Sequence, residues 1–170
     1  FAIDMDGRVL HRWAREAQDV WPDAARTLEN SYWRRVHWYD DGSILVIWDG
    51  TGVARLDSDS EVVWAWRGGA HHQAHVSPDG RIHVLTREPK VVPRVNPTSE
   101  ILVDSITVLD SSGRMLSSHP LLECFERSEY ASVLGRMKRD GEIFHTNSIH
   151  VFDAADARQS PLFVPRHALI

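Results

Sequence analysis

Three segments of the chain align without gaps at one constant spacing: FAIDMDGRVLHRW at 1–13, ARLDSDSEVVWAW at 54–66 and TVLDSSGRMLSSH at 107–119. Asp4, Asp57 and Asp110 stand 53 residues apart each time, and so do Gly7, Ser60 and Gly113. A fixed period of this length constrains the fold more than composition does, because each repeat has to be one supersecondary unit that covers its neighbour. Every segment reads as an apolar alternating strand, a polar tight turn (DMDG, DSDS, DSSG) and a second apolar strand, which is the sequence form of a β-hairpin.

A second element lies between these: WYDDGSILVIWD at 38–49, HVSPDGRIHVLT at 75–86 and MKRDGEIFHTNS at 137–148. Asp-Gly supplies the positive φ of a tight turn, so each of the three is expected to be a further hairpin. Two hairpins per repeat make about four strands, the content of one β-propeller blade. The expected fold is therefore all-β: four-stranded antiparallel blades in a single partial propeller over 1–170, with repeats starting near 1, 54 and 107. Three to four blades are accounted for, while a closed propeller usually has four to eight, so remaining blades or another chain are expected to close it. An ordinary antiparallel sandwich is the competing architecture. Segments 14–35 and 120–138 break the strand pattern and read as helical insertions. In the second, Leu121, Phe125, Tyr130, Val133, Leu134 and Met137 fit a short amphipathic helix, or two with a break.

The formal charge of −5, with no run of basic residues, leaves no electrostatic footprint for nucleic acid or anionic lipid. One cysteine, Cys124, excludes an intramolecular disulfide and a cysteine-based zinc site. Six of the 10 histidines crowd into 71–83 and 145–150, and these stretches are where chemistry is expected. His72, His75 and His83 invite a metal reading. On a strand, however, residues i and i+3 diverge, and the SPDG turn argues against a helix, so no metal is expected. Trp13 and Trp66 share a repeat position and read as core between blades, and Asp4, Asp57 and Asp110 read as turn residues.

FAIDMDGRVLHRW, HHQAHVSPDGRIHVLTRE, DSITVLDSSGRMLSSHPLLECF and, above all, HTNSI at 145–149, in this order, make the chain resemble the arylsulfotransferase family of six-bladed propellers. The resemblance spans nearly the whole chain. It implies transfer of a sulfuryl group from an aryl sulfate to a phenol, without a cofactor, through a sulfated histidine at the central channel. It assigns His145 and Asn147 to the family's His-x-Asn pair and His72 to a second channel histidine, with His71 as the fallback. Where the family reads HHD this chain has Gln73, so charge support from that aspartate is missing. The family arginine and the nucleophilic histidine are expected beyond HALI at 167–170; Arg166 and His167 precede the apolar run and are not assigned to those roles. Many members are exported or membrane-anchored, which implies an extracytoplasmic location with any anchor outside this segment.

Those residue types suit the chemistry. A small charged group passing between two nucleophiles needs positioning and stabilisation of its equatorial oxygens, and histidine serves as cation, proton donor or nucleophile. On a strand, His145 and Asn147 would face one ligand and Thr146 would face away. The plainer alternative, a hydrogen-bonded structural histidine on a strand, holds for each of these positions taken alone. Two other functions stay open: a non-catalytic propeller serving as interaction module or accessory subunit of a larger assembly, and a hydrolase using water as acceptor.

Overall fold

The same turn chemistry closes the first hairpin of every repeat. In a computed structural model that describes residues 1–170, the Asp4 carboxylate accepts the backbone N–H groups of Asp6 and Arg8. Asp57 accepts those of Asp59 and Glu61, and Asp110 those of Ser112 and Arg114. Aspartate is favoured there because its short carboxylate bonds the chain two residues on and so pre-forms the turn.

The strands these turns join form antiparallel sheets. A two-stranded piece holds β1 (Ala2–Ile3) and β2 (Val9–His11). The first four-stranded sheet runs in chain order through β3 (Arg35–Trp38), β4 (Ile44–Trp48), β5 (Gly52–Leu56) and β6 (Val62–Arg67). The second runs through β7 (Ala70–Val76), β8 (Ile82–Val92), β9 (Asn96–Leu109) and β10 (Met115–Pro120). A short parallel strand, β11 (Gly141–Glu142), joins the edge of β9, and β12 (His150–Val151) pairs with β13 (Ala168–Leu169). Three short helices interrupt them: α1 (Ala17–Val20), α2 (Leu121–Glu126) and α3 (Ala154–Ala157), with a 3-10 turn at Ala131–Arg136. The all-β expectation holds, and no sheet closes on itself. No helix is long and apolar enough to cross a membrane.

Strand β4 explains how the sheets stack. Its sequence, ILVIW, is an unbroken apolar run, the signature of a strand covered on both faces, and all five residues are buried. Leu45 and Ile47 pack with Val53 against Ala70, Ala74, Ile82, Val84 and Leu109 of the second sheet. Ile44, Val46 and Trp48 pack on the opposite side with Ala54 and Leu56 against Ala17, and Trp13, Val20, Trp21 and Trp33 close that core. Segment 14–35 therefore contributes mostly irregular chain carrying large aromatics, with only one turn of helix. Behind the long β8–β9 hairpin, Leu122 and Ile143 cover Val92, Ile101 and Val103.

One contact recurs with the repeat. The Nε2 of His11 donates to the Ser58 carbonyl at 2.7 Å, and the indole N–H of Trp64 donates to the Ser111 carbonyl at 3.0 Å. Both donor and acceptor advance by one repeat length between the two. The sequence markers thus sit on β1–β2, β5–β6 and β9–β10, each hairpin leaning on the turn of the next. Two complete four-stranded sheets result, flanked by a pair of strands on either side.

The third expected Asp-Gly hairpin is not formed. Gly141 takes a positive φ of 58°, yet β11 runs parallel to Ile101–Leu102 of β9. The physical reason lies at the edge of β9. Strand β10 pairs only with Ser105–Leu109, so backbone groups further back along β9 need another partner. Residues 131–136, a 3-10 turn, supply no strand to act as the other arm of a hairpin.

Gly7 and Gly113 share a repeat position and nearly the same φ, 82°, but differ in surroundings: a Cβ at Gly7 meets nothing, whereas one at Gly113 overlaps the indole of Trp64. Gly7→Ala is expected to cost about 1–2 kcal/mol, the penalty of a left-handed L-residue. Gly113→Ala should cost clearly more, because Trp64 must also leave its seat on the second sheet. Urea unfolding of the two variants checks this, and equal losses would show that the indole does not hold the sheets together.

Candidate functional site

The first histidine stretch departs from a regular strand at the histidines themselves. Between the pairs Ala70–Thr86 and Ala74–Val84, β7 uses three residues where β8 uses one. The bulge carries His71, His72 and Gln73, and His72 sits at a φ of +51°. Bulges of this kind re-aim side chains. His71 turns inward and is fully buried, while His72 stays part-exposed, and their Nδ1 atoms lie 2.9 Å apart.

The second stretch is not a strand, which corrects the expectation that His145 and Asn147 share a face by alternation. His145 has a φ of +57°, and residues 145–149 have no sheet partner. The extended conformation fails because the segment is tied down side chain by side chain. Thr146 donates from its backbone N–H and its hydroxyl to Asp104 Oδ2, at 3.2 and 2.9 Å. Gln73 donates its amide to the Ile149 carbonyl. The Asn147 amide donates one hydrogen to the His145 carbonyl at 3.1 Å and so braces the loop.

These ties bring His145 to His72, with ring centroids 5.6 Å apart and edge-on geometry. Carboxylates that the sequence did not single out stand behind His145 and His71. Glu142 Oε2 lies 2.5 Å from His145 Nδ1, and Glu142 Oε1 accepts from Arg87 Nη1 at 3.0 Å. Arg87 also reaches Asp49 at 3.5 Å, and Arg34 approaches the other Asp49 oxygen at 3.6 Å. Asp104, 1% exposed on β9, faces the Nε2 of His71 at 3.9 Å. A cavity of about 400 Å³ opens beside Asp49 and Arg87.

Gln73 carries no charge, and the carboxylates that bond or face His145 and His71 are Glu142 and Asp104. The only local sequence signal for Arg87 is its place after the HVLT run. Asp104 had no signal, because strand pairing brings it to His71 from 33 residues along the chain; Glu142 stands only three residues before His145, but nothing in that spacing marked it while the segment was read as a strand.

Electrostatics separate the imidazoles. Burial, reinforced by the Arg87 charge and His72, pushes the His71 pKa down to about 4. Burial also lowers that of His72, against the opposing pull of Asp49. The hydrogen bond from His145 is the main cause holding the Glu142 carboxyl below its ordinary value. Arg34 and Arg87 are set against Asp49 and Glu142, and Asp104 adds a buried carboxylate beside His71.

His75 and His83 belong to a different group. They are cross-strand partners, and the His75 ring lies 4.9 Å from that of His150, which bonds Asp156. His72, His75 and His83 do not converge, and no group of three or more His, Cys, Asp or Glu side chains is arranged to hold a metal ion. The largest cavity, about 650 Å³, is lined by His83, His119 and Arg166 and contains none of the site histidines. No protein-family model matches the chain, and no curated protein matches it.

A lowered His71 pKa has a direct consequence for stability. The unfolded chain binds a proton near 6.5, whereas folded His71 resists it until about 4. Its contribution is present above 6.5 and is lost as the pH falls toward 4. Denaturant unfolding across that window should show a fall in stability that is shallower in His71→Gln, and identical slopes would show that His71 does not stay neutral in the fold.

Proposed function

We propose that this chain is part of a β-propeller of the arylsulfotransferase type, and that His72, His145 and Arg87 line the channel site where a sulfuryl group is handled. The propeller reading is supported by two successive four-stranded antiparallel sheets in chain order and by the His11–Ser58 and Trp64–Ser111 contact that recurs with the repeat. Remaining blades, from further chain or another copy, complete the ring. The extracytoplasmic location implied by the resemblance belongs to the same proposal.

One observation carries the functional reading. Only four non-glycine residues have positive φ, and two of them are His72 and His145, whose rings meet. Left-handed backbone at a bulky residue costs free energy, and it persists where surrounding structure imposes it, characteristically at sites of function. Here it sets two imidazoles edge to edge, with Glu142 behind His145 and the Arg87 guanidinium bonded to that carboxylate. In the proposed reaction the bond from sulfur to the aryl oxygen breaks as one to the neutral nitrogen of a histidine of another blade forms, and the aryl oxygen leaves as phenolate. The acceptor phenol oxygen then bonds to sulfur as the S–N bond breaks, and the acceptor gives up its proton. Arg87 and His145 stabilise the sulfuryl oxygens, and Asn147 fixes the loop that carries His145.

A non-catalytic interaction module of the same architecture is the second reading. It is favoured by the engagement of both guanidiniums with carboxylates, which leaves them partly neutralised before any anion arrives.

Calorimetric titration with 4-nitrophenyl sulfate distinguishes the two. Arg87→Met and His145→Ala should each weaken binding about tenfold or more, since hydrogen bonds to charged groups contribute about 1.5–3 kcal/mol. Arg166→Met, at the other cavity, should leave it unchanged. Absence of binding, or equal binding by all variants, would leave the interaction module standing.

A further inference from the structure

Two buried polar atoms in the second sheet have no hydrogen-bond partner, and they face each other: His71 Nε2 and Asp104 Oδ1, 3.9 Å apart. Both side chains are shut away from solvent. A polar atom buried without a partner is costly, so this orientation has to be accounted for by what it achieves elsewhere. The other oxygen of Asp104 is committed to the N–H and hydroxyl of Thr146, and the other nitrogen of His71 to the ring of His72. The four groups therefore form one chain: Thr146, Asp104, His71, His72.

We propose that Asp104 and His71 are positioning residues that hold His72 in its Nδ1–H tautomer, leaving its Nε2 lone pair open to the site. The proton count gives this result. A carboxylate oxygen facing Nε2 of His71 across a dry gap favours the tautomer with its proton on that nitrogen; the alternative sets a lone pair against a negative charge. Burial keeps His71 neutral at ordinary pH, so its Nδ1 then has no hydrogen. That Nδ1 lies 2.9 Å from the Nδ1 of His72, and a contact this short between two ring nitrogens needs one proton between them. It must belong to His72. A neutral imidazole with its proton on Nδ1 presents an acceptor at Nε2.

The consequence refines the proposed function and, in its ligand, rests on it. His72 cannot give a hydrogen bond to a sulfuryl oxygen while it holds this tautomer, so the oxygens fall to Arg87 and His145. What His72 can do is take the proton of a hydroxyl, which suits the phenol acceptor that must lose one when its oxygen bonds to sulfur. Asp104 and His71 touch neither substrate and act only through His72. The arrangement needs an aspartate and would be reversed by its amide. In Asp104→Asn the side-chain oxygen stays with the Thr146 donors, which turns the NH₂ toward His71 Nε2. That nitrogen must then accept, His71 carries its proton on Nδ1 and donates to His72, and His72 is left with its proton on Nε2.

Long-range proton–nitrogen NMR correlation on the labelled chain reads the tautomer directly, with no ligand present. His72 is identified by the signals lost in His72→Gln, at a pH above the ordinary histidine value of about 6.5. The expected result is a protonated-type Nδ1 and an unprotonated-type Nε2 shift in the unmodified chain, with the two exchanged in Asp104→Asn. An Nε2–H form of His72 in the unmodified chain overturns the proposal, and so does a folded Asp104→Asn that leaves the pattern unchanged. If Asp104→Asn does not fold, the unmodified chain alone decides. Because the readout needs no aryl sulfate, a failed tautomer and a failed sulfuryl reading give separate results.

Discussion

The structure depends on covering both faces of strand β4. A central strand of five apolar residues leaves no solvent-facing side, so one sheet must pack against it from the front and another body from behind. The second sheet supplies the front through the small side chains of Ala70 and Ala74 on β7, which bring the backbones close. The tryptophan-rich N-terminal segment supplies the back. Apolar burial is non-directional and fixes only that the sheets stack. The directional bonds from His11 and Trp64 to the next hairpin's turn set how far one sheet slides along the other.

That stacking also determines where the chemistry sits. Because Ala70 and Ala74 face the first sheet, the residues between them must go elsewhere, and the bulge sends His71 into the interior and His72 toward His145. The loop after β11 then crosses the far face of the second sheet, anchored by Ile149 and Val151 against Leu85. Asp104 and Gln73 fix its height. His145 meets His72 because this loop is pinned by Thr146 and Ile149, while the left-handed backbone of His72 belongs to the bulge in β7.

Polar groups in the site come in pairs that limit each other. Arg87 and Arg34 are held by Asp49 and Glu142, so neither guanidinium is a free cation, and the protonation state of three imidazoles governs what the site can accept. Their environments differ: His71 is buried, His72 half-buried and His145 exposed. Groups of one chemical type in graded environments are how a protein assigns separate acid and base roles.

The sequence by itself determined the parts of this protein that are settled within a few residues: the Asp-capped turns, the alternation of the strands, the repeat of hairpins and hence an all-β antiparallel fold. It also marked His71, His72, His145 and Asn147 as a group to watch. Tertiary structure decided the rest. Asp140-Gly141 has the same local signal as the other turns, but the open edge of β9 made it a parallel strand. Alternation put His145 and Asn147 side by side, but Thr146 on Asp104 broke the alternation and turned the Asn147 amide onto the backbone. Arg87 and Asp104 carry no local signature because each acts on His71 from another strand, and Glu142, three residues before His145, meets it only because the chain there leaves the extended conformation. Turn and strand preferences are properties of neighbouring residues, whereas charge pairing, burial and tautomer depend on which distant side chains the stacked sheets bring within hydrogen-bond reach.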